Sequence, residues 1–561
     1  MRWPFWEAWL EKLITPAEGA YAYPLLVKQL LRNALVQVRD QEIVYRSRRF
    51  TYGEFGNRVS RLASALRDHL GVQPGDTVGI MDWDSNRFLE ALFAVPMMGA
   101  VLQTINVRLS PEQVAYTINH ARPSVILVNA EFAGLLAEIR PHLTTAKRFV
   151  LMQDAPLHNA DTPVAGFDAG YEEMLATGHG HYEFPDFDEN TQATAFYTTG
   201  TTGEPKGVYF SHRQIVLHTL SLLANLALAP SQGRFHRDSV YMPMTPLFHV
   251  HGWGLPWCAT AAGVKQVYPG RYEPAALLNL IRTEGVTFTH CVPTILQMLL
   301  NAPESQATDL SKLTMAVGGS ALPVGLARQA MARGIDVFGG FGMSETGPVL
   351  TIAHLTSAEL TGDADAEAPL RTGTGAAGPL VEIRVVDSAM NDVPHDGAAV
   401  GEMVVRAPWL TQGYLHNPEA SEKLWSGGYL HTGDLATMTA AGRIQIRDRI
   451  KDVVKTGGEW VSSLLLEDLI SQAPNVSQVA VIGVEDAKWG ERPLAVVVAD
   501  AGAAVLPADL QQHLRRFVDE GVISKYAVPE RFVFAASLPK TSVGKVDKKQ
   551  LRLAYGVAAP T

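Results

Sequence analysis

The chain has 561 residues, 47% of them hydrophobic and 19% charged, with a formal net charge of -10. Single hydrophobic cores stop growing at roughly 250–300 residues, so a large body and at least one further unit are expected. The acidic balance excludes a general attraction to nucleic acid or anionic lipid, and any polyanionic ligand must be held by local donors. Two cysteines, Cys258 and Cys291, cannot build a disulfide framework or a four-cysteine zinc site and read as small buried apolar residues. No run approaches the ~18 apolar residues that span a bilayer. Arg2, Glu7, Glu11 and Lys12 interrupt the N-terminal segment where a secretory signal needs an unbroken apolar stretch. A reduced, cytoplasmic setting and no integral membrane segment are expected.

From Asp76 onward, short apolar runs alternate with helical patterns. Thr77–Met81 reads as a strand, residues 86–98 as a helix and 100–104 as the next strand. Residues 124–129, a helix over 132–139 and Arg148–Met152 continue the alternation, the mark of parallel strands covered by helices. Residues 286–293, 315–318 and 336–338 look like further strands of the same kind, and the Ala/Gly/Asp-rich stretch 361–377 reads as a loop. Between Gly378 and Tyr414 the strands shorten and turns multiply, predicting a small β-rich subdomain. The charged run Asp448 to Asp452 precedes a unit with its own βα pattern. The expected class is therefore α/β, with a large body of βαβ-type subdomains, a small β-rich subdomain and a small mobile α+β C-terminal domain. The body is placed at residues 1–448, a hinge at 449–451 and the C-terminal domain at 452–561.

The strongest chemical signal is Tyr197-Thr198-Thr199-Gly200-Thr201-Thr202-Gly203-Glu204-Pro205-Lys206-Gly207. Glycines let backbone N–H groups approach an anion, hydroxyls donate and the lysine adds charge, so the loop is suited to phosphates. Its spacing is not that of a Walker loop. Ser211 and Gln214 then read as a capping box opening a helix at His212. Gly342-Met343-Ser344-Glu345-Thr346 lacks the final glycine of a serine-hydrolase elbow. His249 and His251, two residues apart, have no evident third ligand and are not taken as a metal pair.

The threonine-rich loop resembles the phosphate-binding signature of the adenylate-forming superfamily, which includes acyl-CoA synthetases. Further stretches are similar in the same order: Gly318-Gly319-Ser320-Ala321, Gly339-Gly340-Phe341-Gly342-Met343-Ser344-Glu345, Thr432-Gly433-Asp434, Arg447 to Lys451, Lys455 to Glu459, and Pro539 to Lys545. The resemblance runs from about residue 40 to the C-terminus and is nearest to medium- and long-chain fatty acyl-CoA synthetases. It implies a ligase that activates a carboxylic acid as acyl-AMP with release of pyrophosphate, then passes the acyl group to CoA. ATP and CoA would be co-substrates and Mg2+ the cofactor.

The resemblance also implies roles. Thr198, Thr199, Gly200, Thr201, Thr202 and Lys206 would hold the phosphates. Gly319, Ser320, Ala321, Gly340, Phe341, Gly342, Met343 and Ser344 would line the nucleotide, with the Phe341 ring under adenine where relatives usually carry tyrosine. Asp434 and Arg449 would take the ribose, Thr198 and Glu345 the metal, and Lys545 would bridge the acyl carboxylate and the α-phosphate. Lys451 would be the hinge about which Lys455, Gly457, Gly458 and Glu459 swing in for the thioester step. Acetate and propionate enzymes of this family place a tryptophan where this chain has Gly342, so Gly342, with Gly318, His249 and a gating Trp253, is expected to line a deep acyl pocket. Aryl acids and short thioether acids such as methylthio-propionate are the rival substrates. The Trp3-Pro4-Phe5-Trp6 cluster is a candidate dimer contact.

Overall fold

The computed structural model describes residues 13–154, 166–198, 204–229, 235–457, 459–541 and 544–556. The Trp3–Trp6 cluster, Thr199, Gly200, Thr201, Thr202 and Gly458 lie outside the described residues.

Two largely parallel sheets form the body. One runs in the order Ala169–Gly170, Arg148–Met152, Val125–Asn129, Thr77–Met81, Val101–Thr104, Gln192–Thr198 and Lys206–Ser211, parallel until the last, antiparallel pair. The other has nine strands, parallel from Asp336–Gly342 through Thr314–Val317, Phe288–Cys291, Val240–Met244 and Lys265–Tyr268 to Glu42–Tyr45. The continuous apolar runs read as strands are the ones buried on both faces, which parallel sheets require. Between them the helix Asn86–Met97 is buried along its whole length, capped by Ser85, whose hydroxyl accepts from the Arg87 and Phe88 amides. Two of its buried residues are charged: Glu90 pairs with Arg58 (2.7 Å), and Arg87 with Asp154 (2.9 Å) and Glu172 (3.0 Å). Removing one partner of such a network typically costs about 3–5 kcal/mol, because the remaining charge is left buried. The capping box at Ser211 and Gln214 opens the helix His212–Ala227 as expected.

The β-rich stretch is a four-stranded antiparallel sheet, Glu382–Val386, Gly401–Arg406, Leu430–Met438 and Ile444–Arg449. Past it, Val454–Thr456, Glu459–Val461, Val476–Asp486, Gly490–Ala499 and Arg531–Phe534 form a separate sheet, with its own apolar core around Leu466, Val481 and Val497. Two expectations need correction. Residues 361–377 are not all loop: Asp363 caps a helix over Ala364–Arg371, pinned because Arg371 is buried against Glu367 and Asp336. The strand expected over 336–338 continues to Gly342, because its last residues pair with Val349–Ile352. Among the described residues no helix is long and apolar enough to cross a membrane.

Candidate active site

Lys545 is carried by the C-terminal sheet's last loop, closed by a bridge between Lys540 and Val546 and by the Thr541 amide donating to the Lys545 carbonyl at 2.7 Å. The loop rests on the body, where Thr294 Oγ1 donates to the Gly544 carbonyl at 3.3 Å. A Cβ added at Gly319 would stand 3.3 Å from Lys545 Cε and 3.1 Å from Val292 Cγ1, and φ there is +77°. Glycine at 319 thus serves both the turn and the close passage of the lysine stem. Burial and the Arg449 cation push the Lys545 amine down to about 8, opposed by the carboxylates of Asp434 and Glu345. A partly buried ammonium in the field of two carboxylates is a positive charge that could be offered to an anion.

Asp434 and Arg449 face each other across paired strands. Arg449 Nε lies 3.1 Å from Asp434 Oδ1, while Oδ2 is buried without a partner. Burial raises the Asp434 pKa, and Arg449 and Lys545 oppose the rise. A buried carboxylate oxygen lacking a donor is costly, and a ligand hydroxyl would satisfy it.

Thr198 ends the strand Gln192–Thr198, opposite Lys206 across the hairpin that closes the threonine-rich segment. Glu345 is 8% exposed, and its Oε1 accepts from the Tyr414 hydroxyl at 2.7 Å. The Lys206 ammonium sits 4.6 Å from the centre of the same Tyr414 ring. Tyr414 therefore ties the phosphate-side lysine to the buried carboxylate. Sequence alone did not single it out; the fold places it there, since Leu415 N donates to the Gly207 carbonyl at 2.8 Å and fastens the segment to the loop's end. Among the described residues no group of three or more His, Cys, Asp or Glu could hold a metal by itself. The single carboxylate of Glu345 suits Mg2+ of the kind bound by one or two carboxylates and substrate phosphates.

Phe341 is partly buried beside Met343 against the core around Trp409 and Leu410, and Ser344 opens a short turn that carries Glu345. Ser320 and Ala321 are exposed past the strand Thr314–Val317. Gly342 and Gly340 are crowded by the neighbouring backbone. A Cβ there would meet the Pro348 carbonyl oxygen at 2.0 Å, and one at Gly340 would meet the Thr351 oxygen at 2.9 Å. These glycines answer to the neighbouring strand's backbone, so a larger residue at 342 would displace that strand before it could shorten a pocket. Gly318 does face the expected gate, since its Cβ would stand 3.2 Å from Trp253 Cη2.

Trp253 is 9% exposed, its ring 5.1 Å from that of His290. It rides on five consecutive left-handed residues, Val250, His251, Gly252, Trp253 and Gly254, with φ from 48° to 74°. Each non-glycine residue in that conformation costs roughly 1–2 kcal/mol, so the run persists only under surrounding constraint. Glycine at 254 permits close passage of His218, 2.9 Å from the site of a Cβ. Burial, and then the Lys545 cation, push His249 down to about 3, leaving it a neutral imidazole close to that amine.

The remaining motif stands apart. Lys455 and Glu459 lie on the hairpin of Val454–Thr456 and Glu459–Val461, both exposed, and the Lys455 ammonium is 5.9 Å from the ring of Trp460, itself 58% exposed. Gly457 has φ +58° and passes under Trp489, whose Cε3 would be 2.9 Å from a Cβ. Lys451 is exposed in the turn after Arg449, where the Asp452 and Val453 amides both donate to the Arg449 carbonyl, at 2.9 and 3.0 Å.

Residues 31–415 match the model of the AMP-binding enzymes, and residues 465–545 that of the AMP-binding enzyme C-terminal domain. The chain belongs to the family of AMP-binding enzymes. It is 41% identical over 513 residues, 90% of each chain, to a long-chain-fatty-acid–CoA ligase of Thermus thermophilus. It is 38% identical over 540 residues to a 3-methylmercaptopropionyl-CoA ligase of Ruegeria lacuscaerulensis, covering 94% of this chain and 97% of that one. Among solved structures, ATP-bound MatB from Rhodopseudomonas palustris superposes with a TM-score of 0.80 at 25% identity, over 95% of this chain and 99% of that one.

Proposed function

We propose that the chain is an ATP-dependent acid–thiol ligase that converts a medium- or long-chain fatty acid to acyl-AMP and pyrophosphate, then to acyl-CoA and AMP. The carrying observation is the seat of Lys545 on Gly319, with Asp434 and Glu345 as the opposing carboxylates beside it. In the first step a carboxylate attacks the α-phosphorus of ATP, and two anions must be brought together. The Lys545 ammonium offsets their repulsion at the point where negative charge develops. Asp434 orients the nucleotide through the ribose hydroxyls with Arg449 beside it, and Phe341 supplies a face for adenine. Lys206, with Thr198 and the loop threonines, holds the leaving phosphates. Bound at Glu345 and Thr198, Mg2+ would neutralise phosphate charge. Neutral His249 and Trp253 over Gly318 border the acyl group.

The second step needs Lys545 withdrawn and a thiol admitted. The proposed division is a body over residues 1–448, a hinge at Lys451 within 449–451 and a mobile domain over 452–561. It is supported by the exposed turn at Lys451 and by the separate core beyond it. Rotation would carry Lys455, Gly457, Gly458 and Glu459 towards the pantetheine.

AMP formation with ATP, Mg2+ and CoA across straight-chain acids of two to eighteen carbons tests the substrate. A maximum at medium or long chains is expected. A second reading, a short thioether acid, is favoured by the 38% identity to a methylmercaptopropionyl-CoA ligase and by Trp253 packed over Gly318. A flat aliphatic profile with strong methylthio-propionate activity would replace the first reading by this one.

A further inference from the structure

One cavity of about 400 Å³ is lined by Lys206, Tyr414, Asn417, Glu419 and Lys423. Its inner wall is the Tyr414 ring, whose hydroxyl holds Glu345 and whose face carries the Lys206 ammonium. One aromatic ring thus separates it from the carboxylate that lies beside Lys545. Lys423, also in the lining, pairs with Glu419 one helical turn away at 2.7 Å, and both side chains are exposed. The cavity therefore holds two ammonium groups, one at the phosphate hairpin and one near the solvent. The proposed reaction gives Lys206 a phosphate to hold, but no assigned role uses Lys423.

We propose that this cavity is the departure subsite for pyrophosphate, with Lys423 as its outer binding group. The inference rests on the function proposed above. In adenylation an acyl-oxygen to α-phosphorus bond forms while the bond from that phosphorus to the bridging oxygen breaks, and its electron pair leaves with pyrophosphate. Displacement at phosphorus runs in line, so the leaving group departs opposite to the attacking acid. The cavity opens at Lys206, the residue assigned to the leaving phosphates, and shares the Tyr414 ring with it. Pyrophosphate released by the loop passes from Lys206 to Lys423, and Glu419 competes for that second ammonium so that the product is not retained. In the reverse direction the same groups gather pyrophosphate from solution.

The test is exchange of labelled pyrophosphate into ATP with the preferred acid, Mg2+ and no CoA, in the full chain and two surface variants. Lys423→Gln should raise the half-saturating pyrophosphate concentration about fivefold, the size of one charge-assisted contact at an open site. Glu419→Gln frees Lys423 and should lower it about twofold. Half-saturation by ATP and by the acid should not move in either variant. Unchanged pyrophosphate dependence in both, or shifts of the same sign, would overturn the subsite. Calorimetric titration with inorganic pyrophosphate and Mg2+ decides independently of turnover: weaker binding in Lys423→Gln supports the subsite, and equal binding removes it. Absence of exchange with every acid would defeat the proposed ligase function, while the calorimetry would still judge the cavity.

Discussion

Two loops of the same C-terminal unit meet opposite surroundings. The one carrying Lys545 lies against the body, its stem across Gly319 and its Gly544 carbonyl bonded to Thr294. The hairpin carrying Lys455 and Glu459 points Trp460 into solvent, and the partners described for it, Trp489 and Glu491, belong to its own unit. Both loops are short, charged and glycine-containing, so composition does not explain the difference. What separates them is the direction in which one small sheet presents each, and a unit that docks one face leaves the other free. A two-step enzyme can use this, because a ligand biases such an equilibrium only through its different affinity for the two arrangements.

The largest effect expected is at the docked loop. Lys545→Ala should slow adenylation on the order of 10²-fold or more, about 3 kcal/mol, as loss of a preorganised charge does. It should spare thioester formation from supplied acyl-adenylate. Equal damage to both half-reactions, measured separately, would mean that the two loops do not divide the chemistry. Next is the turn between them. Lys451→Pro fixes the backbone where rotation is proposed and should cut CoA-dependent turnover about tenfold or more while pyrophosphate release persists. Normal overall turnover would move the hinge elsewhere.

A smaller effect is expected within the body, at the ring that joins Lys206 to Glu345. Tyr414→Phe removes the hydroxyl bonded to Glu345 and keeps the ring under Lys206. Adenylation should fall about three- to tenfold, the net size of one typical intramolecular hydrogen bond, with thioester formation unaffected; a loss shared by both steps would make Tyr414 a general structural residue. The mildest change comes from pH. With the Lys545 amine pushed down to about 8, the ammonium form is lost as pH rises through that value, and adenylation should fall with it while the thioester step does not. The sign for stability is opposite. Folding lowers this pKa, so the seated ammonium subtracts from stability below about 8 and the penalty fades towards the ordinary lysine range. A fall in adenylation accompanied by unfolding over that window would place its cause outside Lys545.

Much of the fold was legible because parallel strands buried on both faces must be apolar runs of limited length. Thr77–Met81 and Arg148–Met152 appear with the residue bounds read from sequence. The motif positions were legible for a related reason: each is a contiguous loop whose glycines, hydroxyls and charges sit together in the chain. Tyr414 was not, because a lone tyrosine carries no signal until the fold lays its ring between Lys206 and Glu345. Gly342 shows the converse limit of sequence. A glycine reads as open space in sequence, but here the Pro348 carbonyl occupies the place of its side chain. The helix Ala364–Arg371 escaped notice because an Ala/Asp-rich stretch has weak periodicity, and its anchor, buried Arg371, meets Asp336 from a distant strand.

By itself, then, the sequence determined the alternation of strands and helices, the placing of its glycine- and hydroxyl-rich loops and the family to which they point, all properties of neighbouring residues. Tertiary structure alone decided that Lys545 passes over Gly319 within the field of Asp434 and Glu345, that Trp253 rides on a left-handed turn, and that the hairpin of Lys455 faces solvent. Those facts depend on contacts across hundreds of residues, and no local propensity encodes which surfaces a packed chain brings together.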